Sequence, residues 1–360
     1  MSLTIIHIVS SLQQINYGVF NAVISTFEYL KNSNVKSVLA FPASEKDAEV
    51  MGVALVPLDA KEPIVSIEMS GYLGNANNTV IVTHGNWKLP TQLGAHFKTK
   101  GYTWVVVPHG MMEPWGMRNR WYVKWPYYLL FEKNKLKKAD CIVGVSSVET
   151  KNLRSTFKNV VHIANGITPT VEQVQKPEER ITFLFLSRLH NKKGVVPLTK
   201  AWVQSSLNND SRYKLILAGP DEGEGEKLKE LNKRSNNILL AGAQYGEAKT
   251  DLLNQAHFFL LPSYSEGFPT AVLEAITYGC IPMISKGCNF PEAFDANVAI
   301  EVSPNATQLT TALERVAQWS FSEMSKMGSK AKEFVDGSYA LEIIAKQQLE
   351  LYQKLVNQHE

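Results

Sequence analysis

The sequence has little that would carry it into or across a membrane. No apolar run in its 360 residues approaches the roughly 18 that a helix needs to span a bilayer, so we predict no transmembrane helix. The first residues lack a basic segment, an apolar core and a cleavage site, which predicts that no export signal is present. Three cysteines, Cys141, Cys280 and Cys288, are an odd number without metal-ligand spacing, as is usual in a reducing compartment. These absences favour a cytoplasmic protein and leave open a peripheral position at the inner face of the cell membrane.

Two signatures of cofactor and metal chemistry are also absent. The segment from Ser10 to Gly18 contains no G-x-G-x-x-G, which argues against a nicotinamide-dependent dehydrogenase. No D-x-D triplet occurs, and glycines separate the acidic residues of 221–226, which precede a helical pattern. We therefore interpret 221–226 as a solvated loop and helix start, and we predict no catalytic metal and no cofactor.

The composition is ordinary, but the charge is unevenly spread. The apolar share is 44%, the charged share is 20% and the formal net charge is +3. Residues 1–170 hold 17 Lys and Arg against 11 Asp and Glu, a net +6; residues 171–360 hold the remaining 20 against 23, a net −3. This asymmetry predicts that the first half meets an anionic surface.

The order of apolar runs predicts a two-domain α/β fold, since the chain is long for one core. Short apolar runs alternate with helical patterns, which is typical of parallel, doubly wound sheets. The predicted strands lie at 4–10, 35–41, 79–85, 104–110 and 141–146, and then at 181–187, 213–219, 237–242, 257–262 and 280–285. A helix is predicted from about Val19 to Lys31. The polar segment 167–180, with two prolines, predicts a linker, and the periodicity of 341–356 predicts a terminal helix.

The most informative segment is SYSEGFPTAVLEAITYGCIPMIS, from Ser263 to Ser285. It places Glu266 where a buried strand hands over to a helix, the edge at which open α/β sheets bind ligands. Pro269 suits the first helical position, and free N–H groups of the next turn favour an anion. Glu266 and Glu274 are suited to accept hydrogen bonds from hydroxyl groups on either side of that anion. A ligand with a negative centre and polyhydroxyl ends is a sugar nucleotide.

A second motif supplies the cations. The buried run 181–187 leads directly into Arg188-Leu189-His190-Asn191-Lys192-Lys193-Gly194. Arginine offers a planar fork and lysine a point charge, and both suit a diphosphate at the end of a strand.

Together, S-R-L-x-x-K-K-G and E-G-F-P-x-x-x-x-E resemble the retaining glycosyltransferases of family 4, which have the GT-B fold. The resemblance covers most of the chain, and VVPHGMMEPWGM (106–117) is similar to enzymes that assemble bacterial exopolysaccharide, capsule or lipopolysaccharide. It implies two Rossmann-like domains whose sheets face each other across a cleft. Residues 1–166, with the helix of about 341–360 packed back on them, are then an acceptor-binding domain, and 181–340 a nucleotide-sugar-binding domain.

The resemblance also implies roles for residues of the second domain. Glu266 contacts the donor sugar and Glu274 the ribose, unless both are merely carboxylates favoured at a helix start. Arg188 and Lys193 hold the diphosphate, with Lys192 a solvated neighbour. Backbone and base contacts are assigned to Gly267, Phe268, Pro269, Thr270, Gln244 and Tyr245, with Phe268 a core residue in the alternative reading.

In the first domain the resemblance selects His109 and Gly18. His109 reaches the donor sugar and orients the reacting centre, although a lone histidine is more often structural and His84 presents a similar local pattern. Gly18 lets the backbone approach the ligand closely, but Tyr17 replaces the second glycine that the family usually has. Asn165 and Gly166 lie near the cleft or form only a hinge.

The stretch 112–138 interleaves seven basic residues with seven large aromatics. Such a pattern suits an anionic membrane surface. The alternative is a helix whose aromatics pack inward while its lysines face water, and a nucleic-acid surface is disfavoured because the sugar-nucleotide motifs lie elsewhere.

The predicted function is transfer of a hexose-type unit, with retention, from a nucleotide diphosphate sugar to a glycan or polyprenyl-linked glycan in bacterial surface polysaccharide synthesis. A UDP-sugar is favoured by family frequency. The alternatives are a non-catalytic sugar-nucleotide-binding partner of a transferase complex and a GT-B epimerase of nucleotide sugars.

Overall fold

A computed structural model describes residues 3–11, 22–31, 33–45, 53–87, 89–118, 121–170 and 175–358. The chain divides into two compact units, Met1–Gly166 with Leu341–Glu360, and Ile167–Ala340.

The first unit is built on a parallel sheet of seven strands within the described ranges. They are β1 (Leu3–Ile8), β2 (Val35–Pro42), β3 (Ala54–Leu58), β4 (Thr79–His84), β5 (Thr103–Val107), β6 (Cys141–Gly144) and β7 (Val160–His162), in the spatial order β3-β2-β1-β4-β5-β6-β7. All residues of β4 and β5 are buried, because helices cover both faces of such a sheet. The order reverses between β1 and β4, which pair directly with His7 opposite Val82.

The helices of the first unit alternate with these strands. They are α1 (Phe27–Lys31), α2 (Pro63–Glu68), α3 (Leu89–Thr99), α4 (Pro114–Arg118), α5 (Trp121–Tyr127), α6 (Lys133–Leu136) and α7 (Ser147–Arg154). A π-helical turn, Tyr128–Glu132, joins α5 to α6.

The second unit repeats the plan with a six-stranded parallel sheet. Its strands are β8 (Ile181–Leu186), β9 (Tyr213–Ala218), β10 (Ile238–Gly242), β11 (Phe258–Leu261), β12 (Ile281–Ser285) and β13 (Ile300–Val302), in the order β10-β9-β8-β11-β12-β13. Its helices are α8 (Val195–Gln204), α9 (Gly225–Asn232), α10 (Gly246–Gln255), α11 (Thr270–Thr277), α12 (Pro291–Asp295), α13 (Ala306–Val316) and α14 (Phe321–Tyr339). The order reverses between β8 and β11, so the loops that follow these two strands start side by side.

The terminal helix α15 (Leu341–Asn357) belongs to the first unit. Its first residue, Leu341, packs against Gly166, the last residue of the segment Met1–Gly166. The contact is so close that a Cβ at Gly166 would meet Leu341. Of the predicted linker, Ile167 forms an isolated bridge with Ala340, and residues 175–180 form no helix or strand.

The prediction of two parallel, doubly wound sheets is confirmed, and each predicted strand is present within a few residues. Three strands were missed: β3, β7 and β13. All three lie at sheet edges. β7 and β13 are only three residues long and partly buried, so they lack a continuous apolar run. β3 is apolar throughout, ALVPL, but it contains a proline, which central strands avoid and edge strands tolerate. The helix predicted from about Val19 ends at Lys31 as expected, while residues 12–21 lie outside the described residues.

Across the described ranges, the structure contains no helix both long enough and apolar enough to traverse a membrane.

Candidate functional site

The cationic loop after β8 is held close to the loop after β11 by one glycine. Gly194 adopts the left-handed conformation, with φ at +69°, and caps α8. A Cβ at Gly194 would collide with the carbonyl oxygen of Pro262, so no other residue allows this approach. The amide of Tyr264 also donates to the carbonyl oxygen of Lys192, at 2.8 Å. The two motifs recognised in the sequence therefore meet at the carboxyl edge of the sheet.

At this edge Lys193 and Glu266 form an ion pair. The Nζ of Lys193 lies 2.7 and 2.8 Å from the two carboxylate oxygens of Glu266, and the side chains are only 13% and 11% exposed. Ser263, which the sequence analysis did not single out, donates its hydroxyl to Oε1 of Glu266 at 2.5 Å. Because desolvated charges need close partners, these contacts keep both ionised groups in place.

The backbone of Glu266 is fixed from the loop after β12. Its amide donates to the carbonyl oxygen of Gly287 at 2.7 Å, and its carbonyl accepts from the side-chain amide of Asn289 at 2.6 Å. Gly287 has no room for a Cβ, because the backbone of Ser263 and Tyr264 lies against it. Three loops thus hold Glu266 in one position.

The second predicted cation, Arg188, has a carboxylate partner in the acidic segment 221–226, for which no contact to Arg188 was predicted. Its Nη1 lies 2.9 Å from both oxygens of Glu222, and the pair is 38% and 25% exposed. A bridge between Leu189 and Asp221 brings the loop after β9 alongside Arg188. The Glu222 carboxylate therefore occupies Nη1 of Arg188.

Segment 221–226 forms a turn and the start of α9, as predicted, but Glu224 at the N-cap is buried rather than solvated and pairs with Lys227 at 2.9 Å. Asp221 organises this turn. Its Oδ1 accepts from the amides of Gly225, Gly223 and Glu224, and these hydrogen bonds lower the pKa of the Asp221 carboxyl. Asp221 and Glu224 thus serve the turn and the helix start, while Glu222 pairs with Arg188.

The start of α11 differs in detail from the prediction. Pro269 is the N-cap of α11, one residue before the first helical position. The Thr270 amide donates to the carbonyl of Phe268 at 3.1 Å and the Val272 amide to that of Pro269 at 2.8 Å. The expectation that the amides of this turn are free is wrong for these two, because the turn before the helix is tight. Gly267 lies in that turn, half-buried.

The other predicted contacts of the second unit have partners of their own. Glu274 lies in α11, with Oε1 2.5 Å from the Nζ of Lys249 on α10. Phe268 packs on Phe290 and Tyr339, at ring-centroid distances of 5.5 and 5.9 Å, as its alternative reading as a core residue expects. Two further residues lie beside α10: Gln244 donates to the carbonyl of Ala241 at 2.5 Å, and Tyr245 is a half-exposed N-cap.

In the first unit, His109 lies just after β5 with φ at +53°. Its Nε2 is 2.9 Å from Nδ1 of His84, whose Nε2 is 2.9 Å from Nδ1 of His7. Burial lowers the pKa of His7 to about 3 and that of His109 to about 4. Burial, and then the charges of its two histidine neighbours, lower the pKa of His84. The other predicted glycine contact, Gly18, lies outside the described residues.

A buried carboxyl group anchors the loop that carries His109. Glu149 accepts from the amide of Gly110 at 2.6 Å and from that of Val145 at 2.8 Å. Burial raises the pKa of Glu149 to about 7, against the opposing effect of these hydrogen bonds. Sequence reasoning missed Glu149, because its helical context resembles an ordinary capping residue.

The basic and aromatic stretch exposes most of its large apolar side chains. Trp121, Tyr122, Leu130 and Phe131 are 63%, 65%, 69% and 53% exposed, whereas Tyr128 is buried. The alternative reading, with the aromatics packed inward, is therefore wrong for most of them. A cavity of about 660 Å³ lies beside this stretch, lined among others by Trp121, Trp125, Glu113 and Asn152.

Within the described part of the chain, no group of three or more His, Cys, Asp or Glu side chains is arranged to hold a metal ion.

With this geometry in hand, residues 167–334 match the family described as "Glycosyl transferases group 1". A phosphatidylinositol N-acetylglucosaminyltransferase subunit from Arabidopsis thaliana is 24% identical over 245 residues, covering 66% of this chain and 54% of the relative. A GDP-mannose:cellobiosyl-diphosphopolyprenol alpha-mannosyltransferase from Xanthomonas oryzae pv. oryzae is 33% identical over 108 residues, 29% of this chain and 28% of the relative. The chain thus spans about half or less of the length of these curated relatives.

Solved structures match over nearly the whole chain. Sucrose-phosphate synthase from Thermosynechococcus elongatus has a TM-score of 0.79 at 18% identity, covering 99% of this chain and 100% of that one. Anabaena HepE in complex with UDP and glucose has a TM-score of 0.74 at 15% identity, covering 98% and 100%. At such identities the likeness concerns the fold, and it confirms the predicted GT-B class of two Rossmann-like units with parallel sheets.

Proposed function

We propose that the chain is a retaining glycosyltransferase that moves a sugar from a nucleotide diphosphate sugar to a glycan or lipid-linked glycan acceptor. The observation that carries this proposal is the pairing of Lys193 with Glu266 at the point where the strand order reverses. This pair lies inside the segment that matches the group 1 glycosyl transferases. A lysine and a carboxylate fixed there offer one group for an anion and one for hydroxyls.

In the proposed mechanism the protein supplies charge stabilisation at the leaving diphosphate. Lys193 and Arg188 exchange part of their contact with Glu266 and Glu222 for phosphate oxygens. Glu266 then accepts from hydroxyls of the donor sugar, and Glu274 from those of the ribose. Removal of one such preorganised contact typically costs about 10²–10³ in rate. Acceptor deprotonation is assisted by the leaving phosphate itself, and no step is assigned to a metal.

For the donor we favour a UDP-sugar. The solved structure of Anabaena HepE, with a similar fold, holds UDP and glucose. The Xanthomonas relative is named for GDP-mannose, so the base is a point for direct measurement.

The first unit is proposed to bind the acceptor and an anionic membrane surface. Support comes from the charge of residues 1–166 and 341–360, a net +5 with 19 Lys and Arg against 14 Asp and Glu, and from the exposed aromatics of α5 and the π-turn. Exposed aromatic rings beside lysines suit the headgroup layer of a membrane. The Xanthomonas relative is named for a polyprenol-linked acceptor, and a polyprenol is a membrane lipid.

Product formation from UDP-, GDP- and ADP-sugars, with polyprenyl-linked and free glycan acceptors, tests the proposed function. The expected result is acceptor-dependent release of one nucleoside diphosphate with an anomerically retained product. Tight nucleotide binding without turnover on any acceptor would instead identify a non-catalytic partner. Conversion of the donor sugar with no acceptor present would identify an epimerase.

A further inference from the structure

Three histidines from neighbouring strands form a row at the carboxyl edge of the first sheet. His7 is the fifth residue of β1, His84 ends β4, and His109 follows β5 by two residues. These strands are direct neighbours, and the imidazole centroids are spaced 5.2 Å apart on both sides of His84, close to the spacing of strands. The row therefore follows from the topology of the sheet.

The row is a continuous hydrogen-bonded chain with two possible directions. His84 uses both ring nitrogens, one toward His7 and one toward His109, each at 2.9 Å. A neutral imidazole has one N–H, so a neutral chain needs every ring to donate in the same direction. Donation by both nitrogens of His84 requires an imidazolium, which its burial disfavours.

The inner end of the chain selects one of these directions. His7 is 2% exposed, packs against Phe27 at a centroid distance of 4.8 Å, and its Nε2 has no hydrogen-bond partner among the described residues. If the chain donated inward, this atom would be a buried N–H without an acceptor, which is rarer in proteins than an unpaired acceptor. Outward donation leaves only a lone pair unpaired there.

We propose that His7 and His84 are positioning residues that hold His109 as a neutral imidazole protonated at Nδ1. Nδ1–H of His7 donates to Nε2 of His84, and Nδ1–H of His84 donates to Nε2 of His109. His109 consequently presents its remaining nitrogen as a hydrogen-bond donor. The carboxylate of Glu149 meets the backbone at Gly110 and thereby sets the position of the loop.

This inference deepens the proposed function, since it makes His109 a donor to a substrate oxygen and excludes it as a proton acceptor at neutral pH. The general rule is that the partner of one ring nitrogen decides the state of the other. Because the neutral imidazole of His109 is already a hydrogen-bond donor, it keeps this role across the pH range in which free histidines become protonated.

The first test is a long-range ¹H–¹⁵N correlation spectrum of the full chain labelled with ¹⁵N-histidine, recorded from pH 8 to pH 5. Its eight histidines are assigned by single substitutions. We expect His109 to be an Nδ1–H tautomer with no titration in this range. His84→Phe removes the donor to Nε2 of His109, so an Nε2–H tautomer should appear in that variant, while burial still keeps the pKa of His109 low. An Nε2–H tautomer, or protonation of His109 near pH 6 in the unsubstituted chain, overturns the proposal. His96→Phe, on α3 of the same unit, is the control and leaves the spectrum of His109 unchanged.

A kinetic arm separates this inference from the proposed function. His84→Phe is expected to lower kcat roughly 10- to 100-fold with little change in the KM of the nucleotide sugar. The reason is that a misplaced N–H of His109 affects the reacting centre more than the binding of the nucleotide sugar. His109→Asn, whose amide N–H lies near the position of Nδ1, is expected to retain more activity than His109→Phe. Absence of transferase activity together with the predicted tautomer would reject the function and keep the histidine chain. Full activity of His84→Phe would reject the positioning role whatever the tautomer.

Discussion

At the scale of single residues, the site combines groups that the sequence predicted with partners that it did not. Lys193 and Glu266 were predicted from two strand-to-helix motifs, and the structure brings them into contact. Two partners were not predicted. Ser263 donates to Glu266 from only three residues away, and a serine in a loop gives no sign of such a bond. Glu222 pairs with Arg188 across 34 residues, and contacts between distant loops leave no local pattern. Motifs reveal which side chains carry charge. Which oppositely charged side chain pairs with each of them depends on which strands are neighbours in the sheet.

The ion pair predicts that substitution of two adjacent lysines affects activity very differently. Lys193→Ala should lower kcat/KM about 10²- to 10³-fold, since it removes a contact to the leaving group. Glu266→Ala should do the same and leave Lys193 partly buried without its partner. Lys192→Ala is the matched control and should stay within a few-fold of the parent. Steady-state kinetics with the identified donor, and circular dichroism to verify folding, give the comparison. Near-parental activity of Lys193→Ala and Glu266→Ala would end the assignment of this site.

Substitution of Glu222 is expected to strengthen nucleoside diphosphate binding rather than weaken it. Because its carboxylate neutralises Arg188, Glu222→Gln should leave the guanidinium to the phosphates and tighten nucleoside diphosphate binding. The pair is partly exposed, so we expect about 1 kcal/mol or less, up to roughly fivefold in Kd. Isothermal titration at two salt concentrations measures it, and the gain should shrink at high salt. Weaker binding by Glu222→Gln would mean that Glu222 itself contacts the ligand.

At the scale of elements, close approach of backbones decides the geometry of the site. The sequence predicted the buried strands well, because continuous apolar runs of four to seven residues are distinctive. It did not predict edge strands such as β13, or the exact start of α11. Those depend on tertiary pairing and on the tight turn at Pro269, which periodicity does not report.

Gly194 provides a test at this scale, with Gly242 as a control of nearly the same φ. Both are left-handed, at +69° and +68°, but a Cβ at Gly194 meets Pro262 whereas none lies near Gly242. Gly242→Ala should cost only the backbone strain, on the order of 1 kcal/mol of unfolding free energy. Gly194→Ala should cost a further 1–3 kcal/mol, by roughly the cost of overpacking, and reduce activity by displacing Lys193. Thermal denaturation with parallel activity assays tests both, and equal effects of the two substitutions would contradict the proposed close approach.

The exposed stretch from α5 to α6 predicts binding to anionic vesicles. Reversal of Lys135, Lys137 and Lys138 to Glu removes attraction of about 1 kcal/mol per basic residue, so vesicle binding should weaken about 100-fold or more. Reversal of Lys227 and Lys229 on α9, together with Lys233 at its C-cap, is the control and should have little effect. Co-sedimentation with phosphatidylglycerol vesicles reports the difference. Unchanged binding after reversal of the first set would remove the membrane proposal.

At the scale of the whole molecule, the chain repeats one plan twice. In each sheet the candidate functional side chains lie where the strand order reverses: the histidine row in the first, and Lys193 with Glu266 in the second. Alternation of apolar runs and helices was enough to predict this fold class, since right-handed crossovers leave few other topologies. The row of three histidines was beyond sequence reasoning. His84 and His109 were noted separately, and His7 looked like any polar residue inside a strand, so only the order β1-β4-β5 unites them.

We propose that a nucleotide diphosphate sugar binds where Lys193 meets Glu266. A crystal structure of the chain with UDP, or with whichever nucleoside diphosphate binds most tightly, tests it most directly. Phosphate oxygens are expected within hydrogen-bond distance of the Lys193 ammonium and the Arg188 guanidinium, and ribose hydroxyls at Glu274. A nucleotide seated elsewhere, with the Lys193–Glu266 and Arg188–Glu222 pairs undisturbed, would contradict it.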